Sequence, residues 1–178
     1  MNPMLTPEAD QVLLALGRFN VYFERACESM RQAISLSLRS QGLRNQQMEQ
    51  VIIGDTAAAE LQVMLGALCN HLPQFDANDR KMLRALWKEI KELTEQRNGV
   101  VHSAWQFLEN PGPEVSALAV RPHTKQNSGA IAEIRALSVS HINDLIERAK
   151  RIQVLLARLT TSVTQPQLKL STIFAEPT

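Results

Sequence analysis

The sequence predicts an all-α fold of about four main helices, with a two-stranded β-hairpin inserted at about residues 114–137. Three observations carry that expectation. Apolar residues recur at three- and four-residue steps over long stretches, the mark of buried helix faces. Firm breakers fall at Gln41-Gly42, at Pro73 and at Glu109-Asn110-Pro111-Gly112-Pro113. Between residues 115 and 137, two runs of strand character flank a stretch of turn chemistry. The 178 residues, 44% hydrophobic and 4% aromatic, suffice for one domain with its own core. Its expected extent is 1–163, with 164–178 as a C-terminal tail.

From Thr6 to about Ser40, Val12, Leu16, Phe19, Phe23, Ala26, Met30 and Ala33 follow a heptad-like step. Thr6 is a natural N-cap, Pro7 suits the first turn and Glu8 favours the positive end of the helix dipole. The polar run from Gln41 through Gln50 reads as a stop followed by a connector or short helix, and Val51-Ile52-Ile53 as a short apolar anchor. A second helix is expected from about Thr56 to Leu72, burying Leu61, Leu65, Leu68 and Leu72. Asp76 or Asn78 should cap a third, which continues at least to Trp105 or Phe107. The hairpin would pair Val115 to Arg121 with Ala130 to Leu137 and carry Arg121, His123 and Lys125 at its tip. The last helix starts near Ser138 or Ser140 and runs to about Ser162, with Ile142, Leu145, Ile146, Ala149, Ile152, Leu156, Leu159 and Val163 as a continuous apolar face. Leu168, Leu170, Ile173 and Phe174 give the tail enough apolar surface to dock.

Composition excludes several function classes. A net charge of +1 argues against a protein that coats nucleic acid electrostatically. No apolar run approaches membrane-spanning length, and the polar N-terminus does not resemble a signal peptide. Cys27 and Cys69 lie far apart within helical patterns, which points to a reduced, cytoplasmic compartment. No glycine-rich phosphate loop or serine-nucleophile signature is present. His71, His123 and His141 lack partners at metal-ligand spacing. Lys81, Arg84, Lys88 and Lys91 form a basic stripe, but interleaved Glu89, Glu92 and Glu95 mark it as a solvated face. Arg148, Lys150, Arg151 and Arg158 make the outer side of the last helix basic. Trp87 and Trp105 read as packing residues.

The chemistry concentrates in Arg97-Asn98-Gly99-Val100-Val101-His102. Arginine supplies fixed charge in a planar fork, histidine moves a proton near neutral pH, and the asparagine amide orients an oxygen. Leu83, Leu86, Ile90 and Leu93 set the buried stripe of the helix, and its next steps land on Arg97 and Val100. A guanidinium written into such a stripe must be paired, line a wet cleft or face another subunit. Asn98 and His102 share a helix face, while Arg97 and His102 lie about 140° apart on an ideal helix. Gly99 offers a kink that would draw the two together. A second arginine–histidine pair, Arg135 and His141, lacks the amide because Ala136 follows the arginine; it reads as a coincidental match at a strand-to-helix junction.

Arg-Asn-x-x-x-His at the end of a long helix resembles the HEPN superfamily (higher eukaryotes and prokaryotes nucleotide-binding domain), over about Thr6 to Ser162. The resemblance implies an up-and-down helical bundle that pairs as a homodimer. It also implies a metal-independent endoribonuclease of toxin, phage-defence or RNA-processing type, needing no cofactor, with a composite site across the dimer. Arg97 then matches the family's arginine, Asn98 the polar residue after it, and His102 the catalytic histidine. The expected partners are a second copy, an RNA substrate and a protein regulator or antitoxin, with no membrane. One branch of the family has a tyrosine two residues after the histidine, modified by its antitoxin; Ala104 stands there instead, which argues against that control. The competing expectation is a non-catalytic interaction module in which the same three residues form a structural polar network.

Overall fold

The computed structural model describes residues 7–112, 115–125 and 129–174, with side chains for 7–107, 117–121 and 133–174. Along the chain run α1 (Pro7–Ser40), α2 (Gln46–Ile53), α3 (Ala58–His71), α4 (Ala77–Val101), β1 (Ala104–Gly112), β2 (Val115–Lys125), β3 (Gly129–Leu137), α5 (Val139–Thr164) and α6 (Leu170–Ile173). The protein is mainly helical, and the four long helices are those the apolar stripes predict. The expected N-cap, Thr6, lies outside the described residues.

The residues separate into two compact units. One comprises the stretch up to Phe23 with Glu95–Arg148; the other comprises Glu24–Thr94 with the stretch from Ala149 onward. In the first, Val12, Ala15, Phe19, Phe23, Val100, Ala117, Ala119, Leu137, Ile142, Leu145 and Ile146 are buried. In the second, Met30, Leu61, Leu65, Leu83, Leu86, Ile90, Leu93, Ile152, Leu156 and Leu159 are buried. Each Val, Leu, Ile, Phe or Met among them contributes about 1.5–3 kcal/mol when fully removed from water, and each alanine less.

Helix ends are fixed locally. Gly42 takes a φ of 99°, and the nested bonds Gly42 N–H to Arg39 O (3.0 Å) and Leu43 N–H to Leu38 O (3.1 Å) close α1. Asp76 caps α4, accepting from the N–H groups of Asn78 and Asp79, while Asp79 reaches back to accept from the Asp76 N–H. Ser138 accepts from the His141 N–H at the start of α5.

The insertion departs from expectation. It is a three-stranded antiparallel sheet, β1-β2-β3, and the motif helix stops at Val101 instead of continuing to Trp105 or Phe107. Trp105 and Phe107 extend the apolar pattern, but they do so with period two: both are half-buried, and Ala104 and Gln106 between them are exposed. Pro111 is tolerated because β1 is an edge strand whose register shifts between Phe107 and Gly112. Within the stretch 122–129, expected as turn, residues 122–125 instead lengthen β2 and Gly129 begins β3, with Pro122 paired to Ala132 and Lys125 to Gly129. Residues 126–128 lie outside those described. Beyond Val120, β2 pairs with β3 alone among the described residues, so the N–H that Pro122 lacks costs little. The side chains of His123 and Lys125 lie outside those described, and Arg121 is half-buried.

The second unit departs from expectation at one further place. Val51, Ile52 and Ile53 are the last turn of α2, with Ile53 buried and Val51 81% exposed, so only one of the three anchors anything. The tail does dock: buried Ser162 donates to the Leu168 carbonyl at 3.0 Å, and Leu170 is fully buried.

Candidate active site

The C-terminal end of α4 and the inner face of the sheet build the site. Helices leave their last carbonyls without intrahelical donors, and here three groups from the following residues supply them. The His102 N–H bonds the Asn98 carbonyl at 3.2 Å, the Ser103 hydroxyl donates to Gly99 O, and Trp105 Nε1 donates to Val100 O at 3.2 Å. The chain thus turns from helix into β1 within two residues, with the motif at the turn.

Arg97 occupies the stripe position that the sequence predicts. Its guanidinium lies over the ring of Phe23 on α1, with Cζ 5.4 Å from the centroid, and Phe23 in turn meets Phe19 edge to face. Arg97 Nη1 is 3.4 Å from Asn98 Oδ1, so the first two motif side chains are adjacent. His102 lies one residue beyond α4 and is exposed; its ring makes no hydrogen bond or ion pair among the described residues. The structure therefore joins Arg97 to Asn98 through side chains, and His102 to Asn98 through backbone.

A fourth group enters that sequence reasoning set aside. Cross-strand neighbours share a face, and the register aligns Trp105, Ala119 and Arg135 in one row. Trp105 reaches Val100 from this row, and Arg135 reaches Gly99: a Cβ on Gly99 would lie 2.9 Å from Arg135 Nη1 and 3.5 Å from its Cζ. Arg135 Nε is held by Glu133 Oε1 at 2.6 Å. Gly99 thus serves a close approach as well as any bend, and the arginine read as a coincidental match belongs beside the motif. The signal available in sequence was the glycine, since such a residue inside a helix often marks a close neighbour. Its partner required the strand register. His141 lies on α5, exposed.

A separate cleft of about 550 Å³, in the other unit, is lined by Arg31, Ser35, Arg39, Gln46, Glu49 and Gln50 among others. Its buried Glu49 accepts from Arg39 Nε (2.7 Å), Arg39 Nη2 (2.8 Å) and Ser35 Oγ (2.6 Å). The Arg39 and Ser35 hydrogen bonds hold the Glu49 carboxyl down at about 2, against an ordinary 4.5. That carboxylate is saturated, a structural clamp between α1 and α2, and the sequence reading missed it within a polar run. Cys27 and Cys69 are buried and form no disulfide, and burial pushes the Cys69 thiol up to about 12. Among the described residues no cluster of three His, Cys, Asp or Glu side chains is placed to hold a metal ion, and no helix is long and apolar enough to cross a membrane.

Comparisons with protein-family models, with curated proteins and with solved structures find no match in any of the three.

Proposed function

We propose that this chain is a metal-independent endoribonuclease of HEPN type, acting in the cytoplasm as a homodimer with a composite site. The observation that carries the reading is the end of α4. A half-buried arginine is anchored on an aromatic ring beside an amide, one helical turn from an exposed histidine. In the proposed reaction the RNA 2′-oxygen attacks the adjacent phosphorus and loses its proton to a base. The bond from phosphorus to the 5′-oxygen breaks, and that oxygen takes a proton from an acid. The products are a 2′,3′-cyclic phosphate and a 5′-hydroxyl. His102 from each copy supplies one of these proton-transfer roles. Arg97, fixed by Phe23, stabilises the charge that gathers on the phosphoryl oxygens, and Asn98 holds Arg97 in register.

The same Arg97–Asn98–Phe23 contacts favour a second reading, a non-catalytic interaction module in which they only stiffen the helix end. Cleavage of a mixed RNA pool in EDTA separates the two. The nuclease reading expects cleavage by wild type, cyclic phosphate ends, resistance of DNA, and loss of activity in both His102→Ala and Arg97→Ala. Equal cutting of DNA and RNA would sink the 2′-hydroxyl mechanism. Absence of RNA cleavage by a folded wild-type protein would favour the interaction module.

A further inference from the structure

We infer that Arg135 is a second phosphate-binding residue of the same site, holding a phosphodiester of the RNA strand next to the one that is cut. The inference rests on the nuclease reading for its substrate, but its geometry stands alone.

β3 breaks the usual rule of alternation. Ile134 points outward and is 62% exposed, whereas half-buried Glu133 and Arg135 share the face of buried Leu137, Ala117 and Ala119. A strand that turns its isoleucine to solvent and an arginine toward the motif departs from simple core-building, and such departures concentrate at functional sites. The arginine is also oriented. Glu133 clamps Nε, while Nη1 and Nη2 make no hydrogen bond among the described residues, and the Nη1 end lies over Gly99. An Nη1–Nη2 edge presented in this way matches two oxygens of a phosphate. A side chain 42% exposed remains reachable from solvent. Ala119, between Trp105 and Arg135 in the row, is small enough to leave the helix end room against the sheet. With net charge +1 there is no general field to gather RNA, so individual contacts of this kind must supply the binding.

The test uses full-length protein carrying His102→Ala, so that RNA survives, and a fluorescein-labelled mixed-sequence single-stranded RNA read by anisotropy across a salt series. Adding Arg135→Ala should weaken binding about tenfold at low salt and make the slope of log K against log salt shallower by about 0.7, one phosphate contact. Gly99→Ala, which pushes only the tip of Arg135 aside, should move both quantities in the same direction. Arg135→Lys should keep the slope but bind less tightly, because the charge stays and the fork is lost. Ile134→Thr, on the opposite face, should change neither quantity. In the His102-intact protein, Arg135→Ala should raise KM more than it lowers kcat.

If wild type cleaves RNA while Arg135→Ala leaves affinity and slope unchanged, this assignment falls and the nuclease reading stands. If wild type binds RNA through Arg135 but never cleaves it, the assignment stands and the nuclease reading falls. Absence of RNA binding by the His102→Ala protein overturns this assignment, and wild-type cleavage alone then decides the nuclease reading.

Discussion

His102 is exposed, and its only bond within the described residues is a backbone one, so removing its ring is a chemical change with little structural consequence. His102→Ala should leave chemical-denaturation stability within about 0.5 kcal/mol of wild type while lowering RNA cleavage by about 10²-fold or more. Gly99 gives the opposite kind of prediction. An alanine there adds about 1 kcal/mol of helix propensity, and what it meets is the far end of a flexible side chain. Gly99→Ala should therefore be as stable as wild type or more so in thermal melts, yet bind RNA more weakly. Stability and function moving apart at one position is difficult to obtain from a purely structural glycine. At this scale the sequence was legible wherever a residue's meaning is local. Arg97 in the stripe and Asn98 beside it are set by helix periodicity alone. Arg135 was not legible, because its neighbour Gly99 is set by which residue of β3 faces Ala119, and a shift of one residue would have turned it outward.

Among the elements, the caps and clamps decide where helices begin, stop and respond to acid. Ser138→Ala removes the acceptor at the start of α5 and should cost about 1 kcal/mol by urea denaturation. Asp76 is held below the usual carboxylate range, first by the Asp79 N–H, and Glu49 is held at about 2 by Arg39 and Ser35. Both are lowered in the folded state, so the stability they contribute is present at neutral pH and lost on acidification. For Glu49 the window is set by its two values: the contribution is complete above about 4.5 and vanishes as pH falls toward 2. Stability measured across that window should show a flatter acid limb in Glu49→Gln, and the variant should be less stable than wild type at pH 7. The long helices were readable because each buries a continuous stripe. The end of α4 was misread because Trp105 and Phe107 satisfy a helical and a strand pattern equally over so short a run. The bonds at the turn, Ser103 to Gly99 O and Trp105 to Val100 O, are local. The interaction that decides between the patterns is the pairing of Trp105 with Ala119 and Phe107 with Ala117 across the sheet.

For the molecule as a whole, the described chain is packed to its last element. Leu170 is fully buried, and Lys169 Nζ lies 3.9 Å from Asp76 Oδ2, so the tail bears on the cap of α4. Leu170→Ala should cost about 2–5 kcal/mol in a melt, as other buried leucines do; a loosely held tail would lose far less. The apolar residues of 168–174 announced docking, and nothing local named the surface, which depends on where α5 ends and on the Ser162 hydroxyl reaching Leu168.

The contact between Gly99 and Arg135 also orders events in time. The two residues are separated by a sheet that must be made and paired before they meet. Synthesis proceeds at about 5–20 residues per second, so Arg135 is added roughly 2–7 s after Gly99. A chain whose synthesis has not yet reached Arg135, or one truncated before β3, carries Arg97, Asn98 and His102 without the second guanidinium beside them. Completion of β3 is thus the step at which a nascent chain first holds both arginines against one helix end.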